Sequence, residues 1–311
     1  MTYESTSFSI TYTVNGVTYN LDGYDATTGL NFNALGDSGW GIPTISSITT
    51  RGALQNGDTP VDFRIDPRSL SVTLLVEAFN YVDHLRIREK ISQIFKVSNN
   101  LGTLNVTYSS TQGGVTATYS RSIDVLVRDG LNFGSIDYQD YNVLVTVGFR
   151  ASDPAWYDGT PLSINVSQAI QGTTTPIPFL VPMTMGGVAL NQTSTVVYTG
   201  TVIEYPTFTI MVGDTDITGL YIINQSTSKT LYFPTLYAGR TYTIDLTYGN
   251  KTVVNDLGAN SIGLLSTSSN LATWSIDPNT TGGTNVIVIS SAGANASSVI
   301  TMNYYVRYLA V

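Results

Sequence analysis

The 311-residue sequence contains no cysteine and a single histidine, and these shortages remove much of the usual protein chemistry. Without thiols there are no disulfides, no thiolate metal sites and no cysteine nucleophile. One imidazole, His84, supplies neither a metal cluster nor a catalytic pair, and it reads as a surface or interface residue. No metal and no cofactor are expected. Charge is scarce too: 12% of residues are charged, with 14 Lys and Arg against 22 Asp and Glu, net −8. Ten basic and 14 acidic residues precede position 151, and four and eight follow, so each part carries −4. Such a chain lacks the basic footprint that phosphate backbones require, which argues against nucleic-acid recognition. No apolar run approaches the roughly 18 residues of a membrane span, and Met1 to Ser7 has neither a basic start nor an apolar stretch, so neither membrane insertion nor a signal peptide is expected.

What is abundant is Thr, Ser, Asn, Gly and Tyr, a composition of β surfaces kept soluble by hydroxyls and amides. The length suggests two domains of ordinary size. Phe8, Ile10, Tyr12 and Val14 alternate up to Asn15-Gly16, and Val17, Tyr19 and Leu21 alternate after it. A two-residue turn there sets Val14 opposite Val17, Tyr12 opposite Tyr19 and Ile10 opposite Leu21 on one face. Residues 22–60 read as a long Gly-rich irregular region with a short strand near 45–50. Trp40, Ile42 and Arg51 in it are candidates for an arm that packs on a neighbouring subunit.

Strands are expected at 61–65 and 70–78, separated by a tight turn at Asp66-Pro67-Arg68. One helix follows, capped by Asn80 with Asp83 three residues on. Its apolar arc is Tyr81, Leu85, Ile87, Ile91, Ile94 and Phe95, with Arg86, Glu89, Lys90 and Gln93 opposite. Further strands are expected at 103–109 and 116–127, then a polar loop over 129–140, then a strand over 141–149 that is apolar on both faces. The next segment turns at Pro154, Gly159 and Pro161, with Trp156 and Tyr157 as large anchors that pin it onto one domain.

Beyond it no helix is expected. Strand candidates recur at 162–170, 195–198, 207–212, 219–224, 230–233, 241–248, 272–276, 285–290 and 298–309, the spacing of an antiparallel sandwich or jelly roll. The fold class is therefore mainly β: residues 1–150 form a mixed β domain with one helix, residues 151–311 an antiparallel β-sandwich, and the junction spans 149–161.

Catalytic constellations are absent from the pattern. Asp214-Thr215-Asp216 alternates oxygen ligands without the rest of a calcium loop, so a solvated turn is the better reading. Glu204, Asp245, Asp256 and Asp277 are the raw material for a glycosidase pair, yet nothing in the sequence pairs them. The 20 tyrosines exceed what cores of this size need, so some should stack on sugar rings or on another subunit.

Phe149, Asp153-Pro154 and Trp156-Tyr157, following a single-helix β domain, resemble the junction of siphophage distal tail proteins. Gly200 to Ile210, then Ile223-Asn224, Ala238-Gly239 ahead of Tyr242 to Asp245, and Trp274 to Ile276 before Asn285 to Ile287 resemble that family's carboxy-terminal domain, so the resemblance covers nearly the whole chain. It implies a non-enzymatic virion protein at the distal end of a long non-contractile tail. Its first domains would form a hexameric ring between the tail tube protein and the tail-tip hub protein, and its outer galectin-like domains would offer a platform for host-adsorption proteins. Tape-measure and receptor-binding proteins are further partners it implies. The alternative is a carbohydrate-binding adhesin whose second domain recognises host surface glycans.

Overall fold

The computed structural model describes residues 4–112, 115–134, 141–168, 188–294 and 297–311. They form two compact units, Met1–Gly159 together with Tyr308–Val311, and Thr160–Arg307. The first unit therefore runs past residue 150 and takes back the last four residues.

Unit 1 begins with β1 (Glu4–Val14), β2 (Val17–Asn20), β3 (Gly23–Asp25), β4 (Leu30–Ser38), β5 (Ile45–Thr50), β6 (Thr59–Ile65) and β7 (Arg68–Val76). Helix α1 (Tyr81–Ile94) and β8 (Gly102–Gln112), β9 (Val115–Phe133), β10 (Val143–Ala151) and β11 (Trp156–Asp158) follow. One antiparallel sheet takes the order β2-β1-β8-β9-β10-β7-β4-β3, with β11 added on β9. The β1–β2 hairpin has the expected register, Val14 against Val17 and Tyr12 against Tyr19, and Leu21 donates its amide to the Ile10 carbonyl. Asn15 and Gly16 both take positive φ, as a tight hairpin turn of this twist requires. β9 changes partner along its length, pairing β8 up to Val125 and β10 from Leu126 on. A bulge between Val147 and Phe149 accompanies that second pairing.

Several expectations for this unit are corrected. Much of residues 22–60 is not loop: β3 and β4 extend the main sheet, burying Leu30 and Phe32. Trp40 is buried (7% exposed), with its ring 5.7 Å from that of Trp156, so it belongs to the unit's own core and not to an arm. Arg68 is not an exposed turn residue but the first residue of β7, 2% exposed. β9 runs on to Phe133 through part of the expected 129–140 loop, and residues 135–140 lie outside the described set. β10 buries Val143, Val145 and Val147 but leaves Leu144 exposed, so only one of its faces is apolar and covered. Asn80 caps α1 as expected, accepting from the Asp83 amide at 2.9 Å. The buried stripe, however, is His84, Ile87, Ile91 and Ile94, while Tyr81 and Leu85 are exposed. His84 is thus a core residue, with Nδ1 2.7 Å from the Tyr141 carbonyl oxygen.

Arg68 organises one end of this unit. Its Nε donates to the Pro154 carbonyl (2.9 Å), Nη1 to those of Gly39 (2.7 Å) and Gly41, and Nη2 to that of Leu309. All four acceptors are neutral carbonyls, so burial goes uncompensated by a carboxylate and lowers the guanidinium pKa to about 10. It stays charged at neutral pH. The loop it grips is also sterically fixed: Gly39 has φ +80°, and a Cβ there would lie 2.0 Å from the Ser69 carbonyl oxygen.

Unit 2 comprises β12 (Leu162–Gln168), β13 (Val188–Val197), β14 (Thr207–Met211), β15 (Ile217–Asn224), β16 (Lys229–Leu236), β17 (Thr241–Asp245), β18 (Thr252–Asn255), β19 (Thr284–Ala294) and β20 (Val299–Tyr304). They form two antiparallel sheets, β12-β20-β14-β17-β18 and β13-β19-β15-β16. Alternate residues on β14, β15, β19 and β20 are buried, so each sheet has one covered face. Trp274 serves both, meeting the Phe208 ring of the first sheet edge-on at 5.0 Å and donating Nε1–H to the Ile222 carbonyl of the second at 3.2 Å. Its segment, 272–276, is not the expected strand; it makes one isolated bridge, Ile276 with Glu204. The expected closing strand 298–309 ends at Tyr304 and resumes as the two-residue β21 (Arg307–Tyr308), which pairs with β11. Residues 169–170 of the expected 162–170 strand lie outside the described set.

Two predictions follow from these buried polar centres. Arg68→Ala should cost about 3–5 kcal/mol, because four carbonyls lose a charged donor together. Urea unfolding followed by fluorescence should show the transition of Trp40 and Trp156 shifted and that of Trp274 unmoved; removing residues 308–311 should act in the same direction. Equal midpoints for Arg68→Ala and the parent would refute the role given to Arg68. In unit 2, Asn224→Ala should cost about 1–3 kcal/mol, since the Ser275 carbonyl and Asn285 Oδ1 lose a buried donor. Here the Trp274 transition should move alone.

Candidate functional site

Two surfaces of unit 1 and one of unit 2 carry features beyond what the cores require. The first is the β5–β6 hairpin, a two-stranded sheet separate from the main one, with Ile45 opposite Ile65 and Thr50 opposite Thr59. Its tip is tied by the Gly52 amide donating to Gln55 Oε1 (2.9 Å) and by Gln55 Nε2 donating to Thr59 (2.8 Å). At its base the Asp66 amide donates to the Thr44 carbonyl (2.9 Å), and Asp66 accepts from the Ser46 hydroxyl and from Arg64 Nε. The Ser46 hydroxyl, followed by Arg64, holds the Asp66 carboxyl below its ordinary range. Between base and tip the hairpin is apolar and open: Ile48, Val61 and Phe63 are 51–62% exposed, and Leu54 at the tip is fully so. Isolated two-stranded hairpins are marginal in water. An exposed one of this composition gains stability when something covers it.

The arm candidates separate accordingly. Ile42 is 67% exposed beside the hairpin and Arg51 sits at the start of its tip, donating to the Gln55 carbonyl at 3.3 Å; Trp40 is in the core. A second open apolar set lies at the start of α1, where Phe79, Tyr81, Val82 and Leu85 are exposed. Of the basic residues on α1, Arg88 lies over the Phe133 ring and Lys90 donates to the Thr28 carbonyl. Across β1, β8 and β9 one face is built of hydroxyls and amides paired strand to strand, as in Thr111 with Thr116 and Ser109 with Thr118. Asn105 donates to both Ser120 and Ser122 at 2.9 Å.

Asp153, Pro154, Trp156 and Tyr157 all fall inside unit 1, and the junction's Thr160 and Pro161 open unit 2. Trp156 is fully buried, Tyr157 donates its hydroxyl to Asp124 (2.8 Å), Asp153 accepts from the Ala155 amide, and the Pro154 carbonyl is held by Arg68. Asp158 pairs with Arg121, whose guanidinium covers the Tyr308 ring.

In unit 2 the four carboxylates considered as a catalytic pool are dispersed. Glu204 is buried, ion-paired with Arg307 at 3.7 Å and accepting from the Tyr305 amide. Asp245 organises a turn through Thr247 and Asn250, and Asp256 meets Arg240 at 3.5 Å on the surface. Asp216 accepts from the Ala238 amide, and among the described residues no group of three or more metal-ligating side chains forms a site. Asp277 lines a trough of about 460 Å³ that it shares with Tyr205, Thr227, Lys229 and Asn279. Its walls are tied by two fully buried asparagines. Asn224 Nδ2 donates to the Ser275 carbonyl (2.8 Å) and to Asn285 Oδ1 (3.0 Å), and Asn285 Nδ2 donates to the carbonyls of Asp277 (3.0 Å) and Gly283 (3.1 Å). Sequence reasoning did not find this trough, because its lining comes from segments some 75 positions apart; Asn224 and Asn285 beside apolar strand residues were the one available signal.

No protein-family model and no curated protein matches the chain. Among solved structures, two chains of the phage P2 baseplate in its activated conformation, with calcium and with strontium, align at TM-scores of 0.49 and 0.46 with 8% identity, each over 96% of this chain and 98% of the other. The Dit protein of phage SPP1, described as a paradigm of the hub adsorption apparatus in phages that infect Gram-positive bacteria, aligns at a TM-score of 0.64 with 15% identity, over 97% of this chain and 99% of its own. Both units, in their chain order, thus have the fold of the SPP1 Dit protein.

Proposed function

We propose that the chain is a structural, non-enzymatic component of a phage tail tip, located at the distal end of the tail, where it forms a ring that joins the tail tube to the tip hub. The observation that carries this reading is the full-length fold likeness to the SPP1 Dit protein, joined to a detached apolar hairpin in the ring-forming unit. A head-to-tail interface closes into a ring when its rotation divides the circle, six copies in the arrangement the family resemblance implies. β5 and β6 present free edges and open apolar side chains, so a neighbouring subunit covers them by packing or strand addition. Unit 2 serves as the platform for host-adsorption proteins.

A bore that passes DNA must not bind it, so its lining should release few counterions. The hydroxyl face of β1, β8 and β9 suits that condition, because it is built largely of paired Ser, Thr and Asn groups, with the Asp124 carboxylate among them. Arg86, Arg88 and Lys90 on α1 should face partners or solvent.

The hairpin can be removed without touching the main sheet, since Thr44 and Asp66 are already hydrogen-bonded neighbours and an Asn-Gly turn can join them. This replaces a wider deletion of residues 22–60, which would remove β3 and β4. In tails assembled in the host, the shortened chain should fold with an unchanged melting temperature and fail to enter a ring visible by electron microscopy; Ile48→Ser with Phe63→Ser should weaken ring formation in the same way. Rings that form normally without the hairpin would remove it from the interface. Parent tails with no ring of this chain, or with a bore lined by the α1 arginines, would overturn the reading.

A further inference from the structure

We propose that the trough in unit 2 is a binding site for a neutral saccharide chain. The trough of about 460 Å³ adjoins a second depression of about 550 Å³, with which it shares Ser226, Asn279 and Thr280. Together they form one larger trough of a size suited to a bound small molecule or short chain. Apart from Ile203 and the Tyr205 ring, the lining consists of hydroxyls, one amide, one carboxylate and one ammonium. Ile203 and the Tyr205 ring are its large apolar side chains, fewer than the hydrophobic anchors of a peptide call for. One Lys229 against one Asp277 leaves no net charge, which disfavours an anionic ligand. Vicinal hydroxyls, which both donate and accept, match this mixture of fixed donors and acceptors.

The groups are preorganised and in part unpaired. Asp277 Oδ1 accepts from the amide and side chain of Asn279 (2.8 and 3.0 Å), which fixes the carboxylate plane, while Oδ2 makes no hydrogen bond among the described residues. Lys229 and Asp277 line the same trough without forming an ion pair, so each keeps its capacity for a ligand bound between them. The Thr227 hydroxyl is buried and has no hydrogen-bond partner, a deficit that a ligand hydroxyl can make good. The Asn224–Asn285 network holds the segments carrying Ser226, Ser275, Asp277 and Thr280 in register, so little ordering is left to be done on binding. Tyr205 adds an aromatic surface whose position is set by the Lys251 ammonium 3.6 Å from its ring centre. The site needs no other protein and does not depend on the tail reading.

The test uses the purified full chain on an array of neutral oligosaccharides built from hexoses and N-acetylhexosamines, followed by calorimetric titration of the strongest binder. Lys229→Gln and Asp277→Asn keep size and the Asn279 turn while removing the charged hydrogen bonds, so each should weaken binding about tenfold or more with an unchanged melting temperature. Tyr205→Phe should bind nearly as the parent does if the ring supplies stacking. Failure to retain any neutral saccharide at millimolar concentration would overturn the proposal, as would binding that neither charge substitution weakens or a preference for acidic glycans or peptides.

Discussion

A single buried guanidinium sets the form of the first unit. Arg68 spends its donors on carbonyls from the loop at 39–41, from the segment at 154 and from Leu309. Each of these segments carries an aromatic residue that the core needs or covers: Trp40, Trp156 and Tyr308. Without the clamp, three stretches with few ladder hydrogen bonds of their own would have to be ordered separately, at a backbone entropy of roughly 1–2 kcal/mol per residue. A neutral side chain could not satisfy four carbonyls. The guanidinium fork can, and burial at the cost of a depressed pKa is the consequence.

The second unit solves the equivalent problem with amides. Asn224 and Asn285 lie side by side at the ends of β15 and β19, fully buried, and each acts as both donor and acceptor. An amide carries no desolvation penalty of the size a charge does, so the network can sit directly beneath a surface trough without adding a charge to it. The side chains that open onto solvent there are consequently held by neutral groups, and their own charges stay available.

How much of this was legible in the sequence depended on distance along the chain. The β1–β2 hairpin and the Asn80 cap are decided within a dozen residues, and pattern reading placed both. Arg68 was read as a turn residue because Asp66 and Pro67 precede it, whereas its partners lie 27 to 241 positions away. β4 was missed for a local reason: its buried alternation, Leu30 and Phe32, is interrupted by a register shift between Ala34 and Gly36. Residues 272–276 were misread as a strand because Trp274 and Ile276 alternate, but that alternation comes from a loop lowering Trp274 between two sheets. His84 falls on the buried face of α1 because the helix meets the sheet through the stripe 84, 87, 91 and 94, a rotation that a mixed apolar arc does not fix.

The scarcity of charge acquires a structural meaning at this point. With few ions to hydrate its surfaces, the chain relies on hydroxyl and amide pairs across strands, which satisfy one another. A sheet face of hydroxyls and amides does not hold phosphate backbones and does not repel a like subunit, both of which suit the proposed place in a ring around DNA. The same economy makes the exceptions informative. One exposed apolar group stands on the detached hairpin and another at the start of α1, and the trough of the second unit contains the buried Thr227 hydroxyl, which has no hydrogen-bond partner among the described residues. Neither group is needed to fold the unit that carries it, so each surface is free to be shaped by what it meets.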